Sequence, residues 1–205
     1  VMRDQSYINR EKYHYLPNPN DSFRTLIADN GMFCGPIGAG IFKDSHETDL
    51  MKKYKMFGKF HETICVSFSQ DGLHWQDPIP CPEIDATADT HSNVLWVPEL
   101  NKYVGITRVW DKKRFIRQVG WTCSEDFIHW TKSKAILEGE DPNRQVYYMP
   151  VFRFHNVYLG LPAIFNNRTD TVHTELAWSP NTFDWYRICP GTPFISRSKK
   201  DADYD

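Results

Sequence analysis

Three carboxylates, Asp89, Glu175 and Glu62, stand where acid–base chemistry is possible in this 205-residue chain. Two such groups can divide the work, one giving up a proton while the other attacks or activates water. Two arginines accompany them, Arg108 and Arg117. Their planar guanidiniums form bidentate bonds to carboxylates and phosphates. His91 and Asn166 add polar edges, and Tyr147, Tyr148 and Trp110 add faces on which a ring can stack. Each residue also has a plain structural reading. Asp89 caps a turn, Glu175 and Glu62 face outward on strands, the arginines pair between strands, and the aromatics fill a core.

Other chemistries are poorly supplied. The 8 histidines include no HxxxH or HExxH spacing, so no metal site is expected and no cofactor is implied. The glycine-rich stretch from Gly35 to Gly40 lacks the Lys-Ser/Thr that a phosphate loop requires. The 5 cysteines are odd in number and form no CxxC pair, which points to small buried apolar residues. Lys plus Arg is 24 and Asp plus Glu is 26, a net charge of −2, so nucleic acid is not an expected partner. The longest apolar stretch, Val157 to Phe165, is too short to span a bilayer and contains Gly and Pro. No signal peptide is visible at the start of the chain.

The elements that must position the candidates follow from a repeat. Aromatic residues make up 15% of the chain, beside 13 Pro and 11 Gly, which favours short strands and tight turns. Ser69, Asp71 and Trp75 recur as Ser124, Asp126 and Trp130, and again as Ser179, Asn181 and Trp185, at a constant step of 55 residues. Tyr103 and Tyr158 keep the same step. Upstream lie apolar runs at 40–42, 94–97 and 151–154. Each unit reads as strand, turn, strand, longer loop, strand, Ser-x-Asp turn and a fourth strand led by Trp. Four antiparallel strands per repeat describe a β-propeller blade, so the expected fold is an all-β propeller with about three blades present. The blades are placed at about 34–83, 84–139 and 140–190. Residues 1–33 are an irregular segment or part of a further blade, and 191–205 begin the next blade or form a tail. The stretch from Asp44 to Lys53 is polar and is expected to be a loop. Strand alternation puts the start of the inner strand, the end of the second and the start of the third on one face, where His91, Arg108, Arg117 and the other candidates gather.

The motifs resemble those of five-bladed propeller glycosidases, the broad group around glycoside hydrolase families 43 and 32. The resemblance lies in Lys53 to Phe57, Ser69 to Trp75, Asp89-Thr90, Lys102 to Arg108 and Arg117 to Gly120, and covers roughly residues 35 to 198. The Ser-x-Asp-Gly-x-x-Trp turn is also similar to the Asp box of sialidases, with one residue fewer between Asp71 and Gly72. The resemblance implies hydrolysis of a glycosidic bond by two carboxyl groups at the channel mouth. Asp89 is then the first candidate, with Glu175 or Glu62 as its partner. Arg108, Arg117, His91, Tyr147, Tyr148, Asn166 and Trp110 would bind an oligosaccharide or glycoside substrate. A glycoside phosphorylase on the same fold and a non-catalytic propeller that binds glycan or protein are the alternatives. The resemblance also favours a secreted or periplasmic setting. It leaves the sugar, the stereochemical course and the oligomeric state open.

Overall fold

A computed structural model describes residues 37–60, 63–86 and 91–196. Asp89, Glu62, the segment 1–33 and the end of the tail lie outside the described residues. The first blade is β1 (Ile37–Lys43), β2 (Tyr54–Phe60), β3 (Thr63–Ser69) and β4 (Ile79–Pro80), antiparallel and in sequential order. The second repeats that order with β5 (Asn93–Val97), β6 (Lys102–Asp111), β7 (Ile116–Ser124) and β8 (Lys134–Glu138). The polar stretch before β2 is a loop except for one 3-10 turn, Leu50–Lys52, in which the Met51 N–H donates to the Asp49 carboxylate.

The third blade departs from the expected four unbroken strands. Its inner strand divides into β9 (Arg144–Tyr148) and β10 (Val151–Phe154). Its second strand divides into β11 (Val157–Gly160) and β12 (Ala163–Asn166). The third divides into β13 (Thr171–Thr174) and β14 (Leu176–Ser179), and β15 (Tyr186–Ile188) closes the edge. One half is ordered β10-β11-β14-β15 and the other β13-β12-β9. Proline causes the break. Pro150 and Pro162 have no N–H to give to a ladder. Their carbonyls still accept from Leu161 N and Glu175 N, each at 2.9 Å, so the halves stay aligned.

The Ser-x-Asp turns are built alike. In the first, Ser69 Oγ accepts from Gly72 N at 2.8 Å and Asp71 Oδ1 accepts from Leu73 N and His74 N at 2.8 Å. Asp126 and Asn181 receive the matching bonds in the other blades. The residue after each of these is left-handed: Gly72 at φ 80°, Phe127 at 67° and Thr182 at 70°. Only the first is glycine. Phe127 and Thr182 are fully buried, so tertiary packing and the Asp/Asn bonds hold a conformation that costs an L-residue about 1–2 kcal/mol.

The core lies between blades. One cluster joins Phe57, Val66 and Phe68 of the first blade to Val94, Phe127 and Trp130 of the second. Another joins Val104, Ile106 and Val119 of the second to Val146, Tyr158 and Trp185 of the third. Gly105 makes room for the first junction, because a Cβ there would stand 2.9 Å from the Phe57 ring and 3.1 Å from Trp130. A polar bond accompanies each junction. Tyr103 donates to Asp44 and Tyr158 to Glu99, both at 2.6 Å, so the second residue of β6 and of β11 is tied to a carboxylate just beyond the preceding blade's inner strand. The inner strands also touch. Gly40 lies against the backbone of Ser92 and Asn93, and Asn93 Nδ2 donates to Val151 O at 2.8 Å.

Candidate functional site

Six of the residues singled out in the sequence meet where the second blade faces the third. Arg108 and Trp110 are two apart on β6 and therefore share a face. Arg117 on β7 is the cross-strand partner of Trp110, which puts it on that face too. Across the gap, Gln145 and Tyr147 share a face of β9, and Phe165 on β12 pairs with Gln145. Strand β7 packs against β9, so the two faces oppose each other.

The arginines are sandwiched. Arg117 lies 4.7 Å from the Trp110 ring centre, 5.2 Å from Phe165 and 5.5 Å from Tyr147. Arg108 lies 5.0 Å from Tyr147 and 5.6 Å from Trp110. Trp110 and Tyr147 thus serve both cations, and each such stack contributes roughly 0.5–2 kcal/mol depending on desolvation. Arg108 is 4% exposed, whereas Arg117, Trp110 and Tyr147 are half-buried. Two guanidiniums thus share one aromatic clamp, with planar donor edges suited to carboxylate or phosphate oxygens.

Tyr148 and His91 extend the cluster toward the start of β5. Tyr147 and Tyr148 have ring centres 6.1 Å apart, and Tyr148 meets His91 edge-on at 6.4 Å. His91 is exposed at its edge, and partial desolvation lowers its pKa from the usual imidazole value. It enters β5 beside Ser92, whose hydroxyl is 2.9 Å from that of Thr107 on β6.

The other sequence candidates fall elsewhere. Asn166 ends β12, and its Oδ1 accepts from Arg168 N at 2.9 Å, closing the turn into β13. Glu175, read from the sequence as facing outward if structural, is instead completely buried. It occupies the break between β13 and β14. Its Oε2 accepts from Arg187 Nε at 2.9 Å and Nη2 at 2.6 Å. Its Oε1 accepts from Gly191 N at 2.9 Å and lies 3.1 Å from His173 Nε2. A carboxylate has about four acceptor positions, and here four bonds fill them. Glu175 therefore ties the outer edge of the third blade to the chain that follows it.

Gln145 and Phe165 belong to the cluster but were not singled out. Alternation from Tyr147 could have found Gln145, a polar residue on the same face of an aromatic strand. Phe165 carried no such signal, because the bulge at Ala163 and Ile164 sets its register against β9. Among the described residues no group of three or more His, Cys, Asp or Glu side chains is placed to hold a metal. No described helix is long and apolar enough to cross a membrane.

The fold defines the class: an all-β chain of four-stranded antiparallel propeller blades. No protein-family model matches the sequence, and no curated protein matches it. Solved structures do. An N-acetylgalactosamine deacetylase from F. plautii, in complex with blood group B trisaccharide, aligns at TM-score 0.60 and 12% identity over 75% of this chain and 52% of that one. An endo-1,4-β-xylanase from Bacteroides thetaiotaomicron aligns at TM-score 0.59 and 10% identity over 75% and 53%. A GH32 β-fructofuranosidase from Bombyx mori aligns at TM-score 0.50 and 13% identity over 65% and 31%. The chain spans about half the length of the first two structures it matches. At these identities the likeness is one of fold.

Proposed function

We propose that this chain carries part of the active site of a glycoside hydrolase, with the sugar seated between the second and third blades. The observation that supports the reading is the convergence of His91, Tyr148, Tyr147, Arg108, Arg117 and Trp110 on one cluster beside the inner strands. Sugar recognition needs flat apolar faces beside directed polar groups, and the cluster supplies both. Glycosidic cleavage needs two carboxyl groups flanking the bond. Asp89, two residues before His91 in the chain, is assigned the general base or nucleophile. Glu62 or Glu175 is the second carboxyl, and the bonds already made by Glu175 favour Glu62. Glycoside hydrolases among the structures of similar fold add support.

The two guanidiniums suit phosphate as well, which makes a glycoside phosphorylase the second reading. One assay separates them. Purified protein is given a panel of 4-nitrophenyl glycosides and the matching oligosaccharides, with and without inorganic phosphate. The expected result is release of free sugar that does not depend on phosphate. A sugar phosphate as the only product would establish the second reading, and no turnover of any member would count against both.

A further inference from the structure

We propose that Gln145 is the positioning residue that sets the rotation of the Arg117 guanidinium at this site. The aromatic faces of Trp110, Tyr147 and Phe165 fix the plane of that group. A ring face has no preferred direction within its own plane, so stacking leaves rotation about the guanidinium axis undetermined. A directed bond is needed, and Gln145 makes it. Its Oε1 accepts from Arg117 Nη1 at 2.9 Å and from Arg117 backbone N at 3.1 Å. One acceptor thus holds both ends of the same residue.

Gln145 is itself locked. It is 3% exposed. Its Nε2 donates to Pro142 O at 2.8 Å and to Phe115 O at 3.5 Å. The amide has only one workable orientation here, because the Arg117 N–H can only donate and the Pro142 carbonyl can only accept. The lock also spans the blades. Phe115 sits at φ 54° in the tip of the β6–β7 hairpin, and Pro142 lies in the approach to β9. Gln145 therefore ties the Arg117 guanidinium to the third blade.

Two variants separate orientation from mere support. Gln145→Met keeps length and apolar bulk and removes every hydrogen bond. Gln145→Glu keeps the acceptor and loses the donors. The first readout is the side-chain ¹⁵N–¹H spectrum of Arg117, assigned by its disappearance in Arg117→Lys. Wild type is expected to show resolved, restricted Nη signals, and Gln145→Met to show averaged ones in a protein that still unfolds cooperatively. The second readout is turnover of 4-nitrophenyl glycosides, and only this arm rests on the proposed hydrolase reading. KM is expected to rise about tenfold with kcat changed by less than about threefold, and the effect to vanish when Arg117→Ala is already present. Arg117 signals unchanged in folded Gln145→Met would overturn the assignment. So would an undiminished Gln145→Met effect in the Arg117→Ala background, or loss of folding in both Gln145 variants. Absence of turnover in wild type would sink the hydrolase reading while the spectrum still decides the role of Gln145.

Discussion

Asp89→Asn is expected to lower kcat on a cleaved glycoside by about 10²–10⁴-fold, the usual contribution of a positioned acid or base. Asparagine is nearly isosteric, so binding should survive, and KM should change by less than about threefold. Asp89 immediately precedes the stretch that enters β5, and His91 from that stretch meets Tyr148 of the neighbouring blade. In the proposed site Arg108 and Arg117 would supply the positive charge that favours an ionised carboxylate over a protonated one. Such a group suits attack or water activation better than proton donation. Initial rates over a substrate series would measure both constants. A variant with wild-type kcat would remove Asp89 from the chemistry.

The largest stability effect is expected at Asp44, on the side of the blades away from the arginine cluster. Its side chain and that of Lys55 are 0% and 1% exposed, and they pair at 2.9 Å. The Lys55 ammonium also bonds Glu47 at 2.9 Å and lies over the rings of Phe68, Tyr103 and Phe127. Replacing Asp44 by Asn leaves that cation short of a buried counter-charge and Tyr103 short of a charged acceptor. Removing one partner of a buried pair costs about 3–5 kcal/mol, and the remaining Glu47 argues for the low end of that range. Adding Lys55→Met should recover much of the loss, because apolar replacement of a whole buried pair is often neutral.

The same group makes a pH prediction. Burial pushes the Asp44 carboxyl up, but bonds from Tyr103, Lys55 and His46 N, with the Lys55 charge, outweigh burial and hold its pKa below the ordinary value. The folded state thus binds the proton less well than the unfolded chain. The stabilisation is complete above the unfolded value of about 3.9 and fades as pH falls through the lower folded value. Urea unfolding at neutral pH and at progressively acid pH tests both statements. A neutral-pH difference below about 1 kcal/mol, the range of an exposed pair, would contradict the buried-pair account.

Much of the fold was legible in the sequence because its signals are local. The Ser-x-Asp turns and their tryptophans satisfy backbone groups within a few residues, so their chemistry shows in the spacing. Arg108, Trp110 and Arg117 were legible for the same reason, since alternation and a short hairpin place them on one face. What was hidden lies between blades. The Tyr103–Asp44 and Tyr158–Glu99 bonds each join residues 59 apart, and although the tyrosines recur at the 55-residue step, their carboxylate partners belong to no motif. The break of the third blade needed Pro150 and Pro162 to be read as adjacent in space, which follows only once the strands are paired. Glu175 was misjudged as a surface group in its structural reading because Arg187, its principal partner, lies on the next strand and answers its charge only after folding.

The central claim is that sugar binds at the cluster between the second and third blades. The seven tryptophans of the chain offer a direct test. Indole ¹⁵N–¹H signals of Asp89→Asn, which would hold substrate without consuming it, are followed as the best-cleaved oligosaccharide is added. The account predicts that Trp110 shifts on a saturating curve while Trp75, Trp130 and Trp185 of the Ser-x-Asp turns stay in place. A saturating shift at those turn tryptophans with Trp110 unmoved would contradict it.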